Sequence, residues 1–112
     1  MINFIKERIL GKIPWTKQRS SKWPKLRKSF LASNPQCAAC GSRDKIEVHH
    51  IIPFHIDPPK ELDFSNLLTL CESKEHGKVC HLEIGHNGNY KLENPNVVED
   101  AATFKKSLSI LP

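Results

Sequence analysis

Apolar residues recur at helical spacing early in the chain. Four of them fall at positions i, i+3, i+7 and i+8, which lie on one face of a helix: Trp23, Leu26, Phe30 and Leu31. Ser21 is a candidate N-cap, and Pro24 fits the first turn, where its missing N–H breaks no hydrogen bond. Residues 33–35, Ser-Asn-Pro, end the pattern. The sequence therefore predicts one helix between about residues 21 and 34.

Two short strands are predicted next. Residues 45–51 alternate polar and apolar side chains and are rich in β-branched types, as half-buried strands are. Residues 53–63 contain three prolines and are typical of a loop. Residues 67–70 form the second predicted strand, directly after Asn66.

Helical signals return after the strands. One helix is predicted from about Val79 to Ile84, with Gly85 as a natural stop. A short helix near the C-terminus passes through Phe104 and Leu108 and carries no visible chemistry. The order of helix, strand, loop, strand and helix indicates a small α+β domain.

The composition indicates that the fold needs a stabilising element in addition to its core. The chain has 112 residues, of which 38% are apolar and 7% aromatic, so its core alone supplies little stability. Four cysteines could form two disulfides, but residues 1–8 lead into no secretion signal, which favours metal ligation in a soluble, cytoplasmic chain. No apolar run approaches the roughly 20 residues of a membrane helix.

Positive charge is concentrated at the start of the chain. Residues 1–30 hold nine basic residues and one acid, a net +8, so the remaining residues carry −3 of the total +5. Such a basic segment is typical of proteins that bind phosphates, although a solvated tail would have the same composition. Gly11 and Pro14 interrupt residues 1–19, which we interpret as a basic N-terminal helical extension to a domain at residues 20–112.

The cysteines occur in two pairs. Cys37 and Cys40, followed by Gly41, have the spacing of a zinc knuckle, in which two thiolates reach one tetrahedral ion. Eight residues separate Cys71 from Cys80, which is wider than common zinc templates. Ligation by all four thiols, buried free thiols, and substitution of one cysteine by His76 are the alternatives. We expect Trp23 to pack against this segment rather than to stack on a base.

Between and beside the cysteines lie the residues that carry a family resemblance. They are, in order, residues 37–41, residues 48–53 with the doublet His49-His50, residues 61–71 with Asn66, and Cys80-His81. Together these motifs resemble the HNH endonuclease family over about residues 23–95. The resemblance implies a small ββα-metal, treble-clef-like domain held together by a structural zinc.

The same resemblance implies a role for each residue of the motif. His50 would act as the general base, His49 and His81 would bind the catalytic metal, and Asn66 would orient the segment that carries the base. The departure from the family pattern is the long interval between Cys71 and Cys80.

The chemistry of phosphodiester hydrolysis asks for these residue types. An imidazole has an unperturbed pKa near 6.5, which suits a base that deprotonates water at neutral pH. A divalent ion held by neutral imidazoles supplies positive charge and leaves positions open for phosphate and water. Neighbouring residues on a strand point to opposite faces, so His49 and His50 divide naturally into a ligand and a base.

Two further histidines have more than one possible role. His86 follows His81 by five residues, roughly 140° around an ideal α-helix, so both would face one ion only if the helix ended at Gly85. A third metal ligand, a phosphate contact and a helix cap are the alternatives for His86. His55 is expected in a surface loop, with an accessory phosphate contact as its functional alternative.

The sequence as a whole predicts a metal-dependent DNA endonuclease with intrinsic nicking activity. Its cofactors would be a structural Zn and a catalytic divalent ion such as Mg, Mn, Ni or Zn, of which Mg usually prefers oxygen ligands. DNA would be bound through its phosphates with little base specificity. The alternatives are a zinc-containing nucleic-acid-binding module without catalysis and a protein-interaction adaptor.

Overall fold

The structure is a computed structural model, and it describes residues 20–109. The predicted basic extension, residues 1–19, lies outside this range, as do residues 110–112. Within the described range, no helix is both long enough and apolar enough to cross a bilayer.

An antiparallel pair of strands lies at the centre of the fold. β1 (Ile46–His50) pairs with β2 (Leu67–Cys71), so both predicted strands are confirmed to within one residue at each end. The register places the start of β1 opposite Cys71 and places His50 opposite the start of β2. One cysteine therefore lies at one end of the sheet, and the histidine doublet lies at the other.

Helix α1 (Trp23–Ser33) begins where the apolar pattern begins. The predicted N-cap at Ser21 is wrong, because the helix starts after Lys22, whose N–H donates to the Ser20 hydroxyl at 3.1 Å. Pro24 lies in the first turn, as predicted. The Asn34 side-chain amide donates to the Phe30 carbonyl at 3.1 Å, which closes the C-terminal end.

The apolar face of α1 packs on one face of the sheet. Its buried contacts form a cluster of Phe30, Val48 and Leu67, with Trp23, Leu26 and Leu31 packed around them. The centroids of the Trp23 and His50 rings lie 4.6 Å apart. The expectation that Trp23 packs against the zinc-binding segment is wrong, because Trp23 packs in the cluster with Val48 and on the His50 ring, at the end of the sheet away from Cys71.

A second core surrounds the cysteines. Its buried members are Cys37, Ala39, Leu70, Cys71, Cys80, Ile84, Val97 and Ala101. Helix α2 (Val97–Ser109) contributes Val97 and Ala101, one turn apart, so the predicted C-terminal helix is confirmed and is longer than expected. The buried Asn94 side chain donates to the Ile84 carbonyl and to the Asp100 carboxylate, each at 2.8 Å, and so joins α2 to the chain after Cys80.

The proline-rich connection between the strands is more regular than predicted. It contains two short 3₁₀ helices, Pro58–Leu62 and Phe64–Asn66, where a loop was expected. Two consecutive prolines at the start of the first one fix backbone angles that a helical turn accepts. Asp63 accepts the Ser65 N–H at 2.9 Å and begins the second. This connection positions His50, whose side chain contacts the Glu61 carbonyl.

Candidate active site

The side chains of three histidines, one from β1 and two from the segment after Cys80, lie close together. Their ring centroids are 5.2 Å apart for His49 and His81, 4.8 Å for His49 and His86, and 4.9 Å for His81 and His86. One ring nitrogen from each lies within 4.8 Å of the others, a separation that a single metal ion can span. The sequence named all three, and the structure brings them together.

His49 supplies the buried side of this three-histidine group. Its side chain extends from β1 away from α1, and the residue is only 3% exposed. Burial, together with the charges of the neighbouring histidines, lowers the pKa of His49 to about 3. The ring is therefore neutral at neutral pH, and its Nε2 has no hydrogen-bond partner among the described residues. A buried lone pair of this kind fits a metal ligand.

His81 and His86 reach the same point because the chain between them is not α-helical. The predicted α-helix is instead a π-helical turn, His81–Gly85. A π turn bonds residues five apart, so it brings positions i and i+5 close together, and such turns are frequent at functional sites. His86 follows the turn directly, and its N–H donates to the Leu82 carbonyl at 3.2 Å. The turn removes the roughly 140° separation expected from an α-helix.

Hydrogen bonds orient both of these rings. His81 Nδ1 lies 2.7 Å from a Glu72 carboxylate oxygen, and His86 Nδ1 lies 2.8 Å from the Leu92 carbonyl oxygen. A carboxylate or carbonyl oxygen can only accept, so in the neutral form of each ring Nδ1 carries the proton and Nε2 carries the lone pair. In that form all three rings can direct a lone pair toward one point, and the residues present fit a divalent transition-metal ion.

Gly85 allows His49 to approach the π turn. A Cβ atom at this position would lie 3.0 Å from Leu70 Cδ1 and 3.1 Å from both His49 Cε1 and His49 Nδ1. These neighbours are buried, so they have little freedom to move. The glycine therefore has a role in positioning the ring as well as in ending the helix.

Gly85→Ala is expected to displace the His49 ring and to destabilise the fold by about 1–3 kcal/mol through overpacking. Ni²⁺ binding to the three-histidine group should weaken, as measured by titration calorimetry. Thermal unfolding of the same variant reports the stability cost separately. Unchanged Ni²⁺ affinity would contradict the close packing of Gly85 on His49.

His50 lies on the opposite face of β1 from His49. Its Nε2 lies 3.0 Å from the Glu61 carbonyl oxygen, and its ring packs on Trp23. Because the carbonyl can only accept, Nε2 carries the proton in the neutral ring, and the lone pair is on Nδ1. The residue is 9% exposed, so its orientation is fixed on both sides.

Asn66 joins the two segments that surround His50. Its amide oxygen accepts the Ile52 N–H at 2.8 Å, and its amide nitrogen donates to the carbonyls of Ile52 and Lys60 at 3.1 and 3.2 Å. Ile52 follows β1, and Lys60 directly precedes Glu61, whose carbonyl accepts the hydrogen bond from His50. The buried amide therefore fixes the end of β1 relative to the 3₁₀ helix.

Both members of the doublet open onto one groove of about 600 Å³. Its wall consists of Val48, His49, His50, Pro53, Phe54, His55, His81, His86, Tyr90, Lys91, Leu92 and Glu93. His55 lies at the rim, where its side chain is 68% exposed and 3.8 Å from Glu93.

The four cysteines form a separate group whose sulfurs are close enough together to bind one ion. Their sulfurs lie within 4.8 Å of one another, and the Cys40 and Cys71 sulfurs are 3.5 Å apart. Zinc–sulfur bonds of about 2.3 Å would place two ligands about 3.8 Å apart, so the group fits zinc. A hydrogen bond with Cys80 lowers the pKa of the Cys37 thiol to about 4. Four thiolates at this distance would repel one another unless a cation lay between them.

The long interval between Cys71 and Cys80 turns back without disturbing this group. Lys74 and Gly77 adopt positive φ angles of 59° and 93°, which reverse the chain. His76, the alternative ligand, is outside the cysteine group and lies 3.9 Å from Glu75. The described residues therefore support four cysteines as the zinc ligands.

Three residues that support the site were not predicted from the sequence. Glu72 and Tyr90 contact the metal-facing histidines, and the Glu61 carbonyl holds His50. Only Glu72 had a usable signal, since it directly follows Cys71 at the end of a predicted strand. Tyr90 and Glu61 are brought in by turns that the sequence did not reveal.

Comparison with known proteins agrees with this geometry. Residues 37–87 match the family model described as HNH endonuclease, a range that includes both cysteine pairs, Asn66 and the three-histidine group. No curated protein and no solved structure gives a match. Residues 37–87 of this chain therefore match the HNH endonuclease family, whose fold is ββα-metal, and the four cysteines within that range are clustered as a possible zinc site.

Proposed function

We propose that the chain is a metal-dependent DNA endonuclease that hydrolyses phosphodiester bonds, with a structural Zn and a divalent catalytic ion. The observation that carries the proposal is the placement of His50 and the three-histidine group on the wall of one groove. A structural zinc module needs neither the second group of ligands nor a separate oriented imidazole beside it.

His50 acts as the general base in this proposal. The Glu61 carbonyl holds the ring proton on Nε2, so Nδ1 can take a proton from the attacking water. Packing on Trp23 restricts rotation of the ring. The Asn66 amide holds the end of β1, which carries His50, against the 3₁₀ helix that contains Lys60. This is a positioning role.

His49, His81 and His86 hold the catalytic ion through their Nε2 atoms. When bound, the ion neutralises charge on the phosphate and on the departing oxygen. The chain supplies one base and one such group in its described residues, so we propose a single-strand nick for each reaction. Cutting both strands would need a second copy of the chain.

Helix α1 is suited to hold the DNA backbone near this site. It begins beside His50, and Lys25 and Lys28 in the helix are exposed, as is Lys22 directly before it. Arg27 instead forms an ion pair with Glu47 at 3.0 Å. Phosphate contacts carry no base identity, so weak sequence specificity and a steep loss of affinity with salt are expected. The free thiols suit a reducing cytoplasm, where we place the reaction.

Nicking of supercoiled plasmid by zinc-loaded protein tests the proposal. We expect cleavage with Ni²⁺ or Mn²⁺ at concentrations at which Mg²⁺ gives much less, because three imidazoles favour transition metals over Mg²⁺. EDTA should abolish cleavage. A protein that binds DNA in a gel shift but does not nick the plasmid with any of these metals would instead be a binding module without catalysis.

A further inference from the structure

We propose that Glu72 and Tyr90 position His81 and thereby set the metal affinity of the three-histidine group. The Tyr90 hydroxyl donates to one Glu72 carboxylate oxygen at 2.6 Å, and the other oxygen lies 2.7 Å from His81 Nδ1. The inference deepens the proposed function and rests on it, since it assigns positioning residues to the proposed metal centre.

Glu72 is well anchored for this role. It directly follows β2, and its backbone N–H donates to the Lys45 carbonyl at 2.8 Å, which continues the strand pairing by one residue. Its side chain is 33% exposed and that of His81 is 16% exposed, so their contact is partly shielded from water. The carboxylate thus fixes His81, the first residue of the π turn, relative to the sheet.

Tyr90 reaches the same carboxylate from the other side of the site. The turn before it contains Asn87 and Gly88 at positive φ angles of 52° and 88°, which return the chain toward the histidines. The Tyr90 ring centroid lies 5.7 Å from that of His81 and 5.2 Å from that of His86. The tyrosine therefore packs on two of the three rings while its hydroxyl holds Glu72.

The hydrogen bonds fix the donor and acceptor roles in this arrangement. One Glu72 carboxylate oxygen accepts from the Tyr90 hydroxyl, which leaves the second oxygen for His81 Nδ1.

A carboxylate on Nδ1 has a specific effect on an imidazole ligand. It fixes the tautomer and the ring orientation, and it makes Nε2 a stronger donor to the metal. A purely structural hydrogen bond would contribute to folding without changing metal affinity. The two roles are therefore separable by experiment.

Ni²⁺ titration calorimetry on protein that already carries one equivalent of zinc measures the effect. Glu72→Gln is expected to bind Ni²⁺ about 10- to 100-fold more weakly than wild type. Tyr90→Phe should lose less, and the double variant should bind no more weakly than Glu72→Gln, because the tyrosine acts through Glu72. Glu47→Gln is the matched control, since it removes a carboxylate from β1 that pairs with Arg27 and should bind Ni²⁺ like wild type.

Nitrogen-15 NMR of the histidine rings gives a second measurement that needs no catalytic metal. Zinc-loaded wild type should show the His81 proton on Nδ1, and Glu72→Gln should show a mixture of tautomers. Equal Ni²⁺ affinity for Glu72→Gln and wild type, or a His81 proton on Nε2 in wild type, would overturn the inference. Wild type that binds Ni²⁺ but does not nick DNA would overturn the nuclease and leave this inference intact.

Discussion

Replacing His50 with alanine is expected to lower the rate of plasmid nicking by about 10²- to 10⁴-fold, the usual contribution of a general base. DNA affinity should change little, because the phosphate contacts proposed for α1 and the basic segment remain. Initial nicking rates and a gel shift on the same protein preparations measure the two effects. Loss of turnover with retained binding is the result that separates a nuclease from a binding module.

Controls for this variant follow from the surroundings of His50. Its ring packs on Trp23, so circular dichroism must show that the variant is folded. His50→Gln keeps an amide that can donate to the Glu61 carbonyl but cannot accept a proton from water, and it should be equally slow. His76→Ala, in the exposed turn outside the groove, should cut like wild type. Wild-type rates for both His50 variants would place the base elsewhere.

Removal of the structural zinc should have the largest effect on stability. Zinc ligation contributes on the order of 10 kcal/mol to folding in small domains, which is comparable to the whole stability of a domain of this size. Three of the four cysteines are also at most 1% exposed in the core around α2. A strong chelator, or Cys71→Ser, is therefore expected to unfold the protein.

Far-UV circular dichroism with and without chelator follows this loss, and added Zn²⁺ should restore the signal in wild type. His86→Ala separates the two metal groups, because it removes a ligand of the histidine group and leaves all four cysteines. That variant should stay folded. A native, cooperatively melting protein after complete zinc removal would refute the structural role of the cysteine group.

The sequence predicted the elements more successfully than their contacts. Periodicity located α1 and both strands, because each buries one face of a regular element. It could not tell which of two apolar clusters receives Trp23, since that depends on where the start of α1 lies along the sheet. Local patterns specify an element, whereas packing partners depend on long-range geometry.

The candidate site shows the same division. The motif order identified the doublet, Asn66 and His81, but the position of His86 depends on a π turn, which no residue pattern predicted. The contact of Tyr90 with Glu72 spans 18 residues and depends on two backbone reversals. The proposed base, the proposed ligands and Asn66 were therefore accessible from the sequence motifs, whereas Glu72 and Tyr90 were not.

Cys80 and His81 are adjacent in the chain, so a ligand of the folding metal and a ligand of the proposed catalytic metal share one peptide unit. If the zinc-free chain is unfolded, as predicted above, it would not place His81 beside His49, and the proposed nicking activity would then begin only after zinc uptake, whichever metal the histidines hold.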